Sequence, residues 1–129
     1  MGLDNGFVVK GMRREDVPGF VLLPFTDDGK EDLDLCYWRK CWGLRGEINS
    51  VLHLPGDMWE CDVDREDLPA VMSVLKRYMS PVYWEENANS IWDWDTIFPN
   101  LVQSYINLFW LHHYWESHPE IKVWWYDSY

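Results

Sequence analysis

Between Leu35 and Leu52 the spacing of apolar residues changes period, and that change limits the fold classes open to the chain. Leu35, Tyr37 and Arg39 alternate with Cys36, Trp38 and Lys40, the two-residue period of a strand with two faces. Leu44, Ile48, Val51 and Leu52 then recur at helical spacing, one apolar stripe of an α-helix. Gly43 and Gly46 weaken the start of that helix by roughly 1 kcal/mol each relative to Ala, so a close backbone approach is expected there.

The same two periods place the other elements. Gly6–Met12 reads as a strand, and Phe20–Phe25 as a second one that Pro24 confines to an edge. The Asp-Gly pair in Thr26–Lys30 marks a turn, and the acidic run Asp27–Asp34 lacks the spacing of a calcium loop. Met58–Val63 alternates, with Trp59, Cys61 and Val63 on one face. Asp64 or Asp67 caps a helix whose stripe is Leu68, Val71, Met72, Leu75 and Met79, and Asp67 fits better because Pro69 then falls in the first turn. Ser80–Ser90 reads as a loop. The longest helix starts at Phe98 or Pro99 and runs to about Ser117. It is apolar enough to be central to the core or to form an oligomer interface. Ile121–Asp127 is a final strand. The expected fold is one α+β domain over 1–129, a mostly antiparallel sheet of four to five strands with about three helices packed on one face.

Charge and aromatic content bound the function. Ten Trp in 129 residues cannot all be exposed, so most belong to a core and the remainder are available for contacts. A net charge of −11 disfavours direct nucleic-acid binding, which rests on Lys and Arg neutralising phosphates, and favours a partner with a basic surface. Three Cys without a C-x-x-C spacing fit free thiols in a reducing cytoplasm. The N-terminal residues lack the charged start and apolar run of a leader, and no apolar run has membrane-spanning length.

Few residues carry a chemical signature. His112, His113 and Glu116 share a helix surface without forming H-E-x-x-H, so no metal or cofactor is assigned. Arg39, Lys40 and Arg45 could form an anion-binding spot beside a helix start or balance nearby carboxylates. Tyr83, Trp84, Trp92 and Trp94 border a polar run and form a candidate binding loop for a peptide or sugar.

Met1–Asp4, Tyr37–Lys40 and Tyr126–Tyr129 together resemble a family of small phage and prophage proteins of unknown function. Its members open MGLD, carry a YWRK segment and close on YDSW. Asp64–Leu68 falls where that family begins a helix, while Cys41-Trp42-Gly43 and Tyr129 depart from its pattern. The resemblance implies a phage-derived protein acting in the cytoplasm of a bacterial host. With the acidic charge, the leading expectation is a non-enzymatic accessory protein whose acidic, aromatic-containing surface docks a basic patch of a host or phage protein. A sharper version is a nucleic-acid mimic that blocks a defence nuclease. The resemblance also implies that Asp4, Tyr37, Trp38, Arg39, Lys40, Tyr126 and Asp127 work as a group, with Arg39 set against Asp4 or Asp127, as a pair that fixes strand register ahead of a ligand site. The alternative is a small enzyme or ligand binder using Arg39, Asp127 and the Trp-rich loop.

Overall fold

The computed structural model describes residues 3–24, 32–54 and 60–128. Four strands form an antiparallel sheet: β1 (Asp4–Lys10), β2 (Asp32–Arg39), β3 (Glu60–Val63) and β4 (Lys122–Ser128), in the order β2-β1-β4-β3. Four α-helices accompany it: α1 (Trp42–Val51), α2 (Leu68–Arg77), α3 (Pro81–Asn87) and α4 (Trp94–Ser117). The α+β expectation holds. Phe7, Val9, Trp38, Val123 and Trp125 point from the sheet into the core, where they meet Leu44, Ile48, Leu68, Val71, Leu101 and Leu108 of the helices. Tyr37, Trp124 and Tyr126 lie at intermediate burial on the other face.

The simple alternation expected of Leu35–Lys40 is interrupted. The register shifts between Phe7 and Val8, which face Cys36 and Asp34, and Leu35 and Cys36 are both buried. This bulge turns two consecutive side chains inward and sends Tyr37 and Arg39 outward. Gly6 is required beside it, because a Cβ there would collide with the Cys36 carbonyl oxygen. The edge of β2 is then covered by α4. Asn107 Nδ2 donates to Leu35 O at 2.8 Å and Asn100 Nδ2 to Tyr37 O at 3.2 Å. Side-chain amides thus take up carbonyls that would otherwise template another strand.

Three other expectations change. Phe20–Leu23 is not a strand: Phe20 and Leu22 are exposed, Val21 is buried in the core with Leu23 packed at its edge, and side chains of α4 bind the carbonyls of Phe20 and Leu22. Phe25, the Asp-Gly turn, Met58 and Trp59 lie outside the described residues. Ser80–Ser90 contains a helix, since Ser80 Oγ accepts from Tyr83 N at 3.3 Å and Pro81 occupies the first helical position. The longest helix starts earlier, at Trp94, because the Asp93 carboxylate caps it by accepting from Thr96 N at 2.8 Å. Pro99 therefore lies inside the helix.

Of the two early glycines in α1, one has the expected packing reason. Gly43 N donates to Ala88 O at 2.8 Å, and a Cβ on Gly43 would run into Asn87 O. Gly46 is exposed, with nothing within 4 Å of its would-be Cβ.

Candidate functional site

The residues grouped by the family resemblance are split between the two faces of the sheet. Asp4, Tyr37, Arg39 and Tyr126 belong to the outer face. Tyr37 Oη donates to Asp4 Oδ1 at 2.7 Å, and Arg39 Nε lies 3.9 Å from the same oxygen. Burial, reinforced by Asp4, pushes the Tyr37 phenol up to about 12. Burial and the charges of Asp4 and Asp34 raise Tyr126. Trp38 points the other way and is fully buried, packing near Phe7 and Trp125. Lys40 turns the chain between β2 and α1 at φ +55°, its N–H donating to Leu3 O at 2.7 Å.

Asp127 lies on the helix-covered face, and its guanidinium partner is Arg45 rather than Arg39. Arg45 Nε and Nη2 make a two-pronged contact with the carboxylate at 2.8 and 2.9 Å. Asn5 Nδ2 donates to it at 2.7 Å, and Asn49 Nδ2 lies at 3.5 Å. Asn49 Oδ1 accepts from Trp125 Nε1 at 2.8 Å. The Asp127 side chain is only 1% exposed and that of Arg45 16% exposed. This network joins β1, β4 and α1 and is built for holding them in register. Asn5 and Asn49 were not singled out from the sequence. The signal was there: Asn5 and Asp127 sit at inward positions of their strands, where Phe7, Val9, Val123 and Trp125 are apolar. Arg45 and Asn49 are four apart on α1.

His112, His113 and Glu116 do not converge on a metal. Arg65 donates to the His112 carbonyl at 2.9 Å and reaches Glu116 at 3.4 Å, while His113 Nδ1 lies 3.1 Å from Phe109 O. Among the described residues no group of three or more His, Cys, Asp or Glu is placed to hold a metal ion. Burial pushes the Cys41 thiol up to about 11 and raises Cys36 further, so neither is a thiolate at neutral pH.

The Trp-rich segment forms a cleft. Pro81, Trp84, Glu85 and Ala88 of α3 and its C-terminal turn make one wall. Asn89, Ser90 and Trp92–Trp94 make the other, around a cavity of about 380 Å³. Trp84 is buried and braces the walls, its Nε1 donating to Trp92 O at 3.1 Å. Trp92 and Trp94 are half-buried, and Trp94 also packs on Phe98 with centroids 5.0 Å apart. Tyr83, the fourth residue expected here, turns away to donate to Glu47 at 2.9 Å. Asn89 makes the corner at φ +47°. Ile91 is 75% exposed beside the cleft. Glu85 and Asp93 are the charged residues of the lining among the described residues, with no Lys or Arg beside them there. Hydrogen bonding from Thr96, by its side chain first and its N–H second, holds the Asp93 carboxyl below its usual range, so it is ionised at neutral pH.

A second hollow, of about 340 Å³, lies where Leu22–Pro24 crosses β2 and α4 and is lined mostly by apolar groups. Compared with known protein families, curated proteins and solved structures, the chain matches none.

Proposed function

We propose that this is a non-enzymatic binding protein whose α3–α4 cleft takes a basic segment of a partner protein. The carrying observation is the cleft's composition: Trp92 and Trp94, the Glu85 and Asp93 carboxylates, and no cation in the lining among the described residues. A Lys or Arg side chain entering it would meet an indole face and a carboxylate together, the two groups that stabilise a desolvated cation. Trp is also the residue type most enriched where binding energy concentrates. The net charge of −11 would steer a basic partner toward the whole molecule at low salt. No helix among the described residues is long and apolar enough to cross a membrane.

The MGLD, YWRK and YDSY segments support placing the protein among phage-derived accessory proteins of a bacterial cytoplasm. A basic face on a host or phage protein, including one that normally holds nucleic acid, is the partner chemistry this reading requires. The cavity's size, within the range of small-molecule sites, favours a second reading in which the ligand is a free organic cation.

Titration with short Lys- and Arg-containing peptides, followed by Trp fluorescence at low and moderate salt, tests the proposal. Wild type should bind and weaken as salt rises. Trp92→Ala should lose about 2 kcal/mol, roughly 30-fold in affinity. Binding that is indifferent to salt and to Trp92 would refute the cleft. Response to small organic cations but not to peptides would favour the second reading.

A further inference from the structure

Helix α4 carries no Asp, Glu, Lys or Arg from Thr96 to Trp115, in a chain whose charged fraction is 26%. One stripe of it is spent on the core. Ile97, Leu101, Ser104, Leu108, Leu111 and Trp115 recur at alternating spacings of four and three and are all buried. A second stripe, displaced by one residue, repeats the same spacing through Phe98, Val102, Tyr105 and Phe109 and on to His112. Such alternation keeps a seam on one side of a helix over several turns, as helix pairs require. This seam faces outward. Phe98 is 39% and Phe109 51% exposed, with Val102 and Tyr105 half-buried between them. Phe20 and Leu22 do not belong to the seam: Gln103 and Asn107 hold them to the other flank of α4, on the side of β2.

We infer that the seam of α4 packs against the same seam of a second copy, with the two helices antiparallel about a two-fold axis between Gln103 and Ser104. The stripe is self-complementary about that point. Phe98 and Phe109 are equidistant from it, so each meets the other's counterpart, and Val102 meets Tyr105. Asp95 and His112 are also equidistant, which sets a carboxylate opposite an imidazole at each end. A parallel pair would instead align Asp95 with Asp95 and Glu116 with Glu116. Charge selects the occupant. Two copies at −11 each repel least where the surface is uncharged, and a basic partner finds no carboxylate along the stripe. The 24-residue helix is about 36 Å long, which gives the seam its length. The arrangement also brings the second copy's His113 alongside Trp94, at the lip of the cleft. It does not depend on what the cleft binds.

Sedimentation across a micromolar concentration series reads the association directly. Wild type should move from monomer to dimer as concentration rises, and Phe98→Glu or Phe109→Glu should weaken dimerisation at least tenfold. Both side chains are substantially exposed, so circular dichroism should be unchanged, and melting should match wild type at concentrations where wild type is monomeric. Cysteine pairing reads the direction. An oxidised mixture of Phe98→Cys and Phe109→Cys proteins should cross-link one variant to the other, and Phe98→Cys alone should not. A wild type that stays monomeric throughout, or dimers indifferent to both Glu substitutions, would overturn the interface. Self-cross-linking of Phe98→Cys without cross-linking in the mixture would overturn the antiparallel register.

Discussion

Asp127 and Asp93 both lie near tryptophans, and the fold treats them in opposite ways. Asp127 is sealed at the end of the sheet, with Arg45 in a two-pronged contact and Asn5 and Asn49 on its remaining lone pairs. Asp93 stands at the mouth of a cleft beside Trp92 and Trp94, with Glu85 in the other wall and no cation in the lining among the described residues. A carboxylate fully matched from within its own chain has little left to offer a ligand. One that is matched only by Thr96 at an exposed helix start keeps its charge and its outward lone pairs. The contrast separates an element that holds the fold from one that can recognise something.

The largest expected effect tests the sealed half. Asp127→Ala strands the Arg45 guanidinium in a largely buried site, and should cost roughly 3–5 kcal/mol in denaturant unfolding. Replacing Arg45 and Asp127 together by apolar residues of similar volume should recover much of that loss, because the charges are then removed as a pair. If Asp127→Ala is nearly neutral, the network does not hold the register, and the contrast with the cleft collapses. Arg39→Ala supplies the comparison: its guanidinium is 55% exposed and 3.9 Å from Asp4, so it should change stability by less than about 1 kcal/mol.

Gly43 and Gly46 sharpen the comparison from the other side, because α1 connects the two regions. Gly43 presses against the end of α3, which forms one wall of the cleft, while Arg45 two residues later enters the network. Gly43→Ala would drive a methyl into the Asn87 carbonyl and should cost about 1–3 kcal/mol and weaken peptide binding as the wall shifts. Gly46→Ala, in open space on the same helix, should instead stabilise by up to about 1 kcal/mol and leave binding unchanged. Equal effects at the two positions in chemical denaturation would mean that the close approach is not what retains Gly43.

How far these features could be read from the sequence depends on their range. Local periods place β1, β4, α1 and α2 within a few residues, and the inward faces of Cys61 and Val63 follow from alternation alone. Ser80-Pro81 is itself a local helix-start signal, outweighed in the sequence by the polar run that follows it; Asp93 was masked in the same way by the more conspicuous Pro99. The bulge that buries Leu35 and Cys36 together is a property of pairing with β1 and leaves no mark on β2's own alternation. Asp127 shows the limit most plainly. Its inward position was legible, but Arg39 and Arg45 were both nearby cations in the sequence, and only the turn at Lys40 and the rotation of α1 decide which one reaches it. The cleft was legible as a concentration of Trp. That Tyr83 leaves it for Glu47 depends on where α1 packs.

The smallest expected effect addresses the open half. Glu85 is exposed on the cleft wall, with no hydrogen bond or ion pair among the described residues. Glu85→Gln keeps the side chain's shape and removes its charge. Folding stability should therefore stay within about 0.5 kcal/mol, since exposed carboxylates contribute little to it. Affinity for a basic peptide should fall by up to about fivefold at low salt, equivalent to less than about 1 kcal/mol, and the difference from wild type should shrink as salt is added. The joint outcome is what distinguishes the two regions: Asp127→Ala moves stability far more than any local contact would suggest, whereas Glu85→Gln moves binding and leaves stability in place. If Glu85→Gln lowers the unfolding free energy as much as it lowers affinity, the carboxylate is part of the scaffold, and the cleft must be read as a feature of the fold like the network at Asp127.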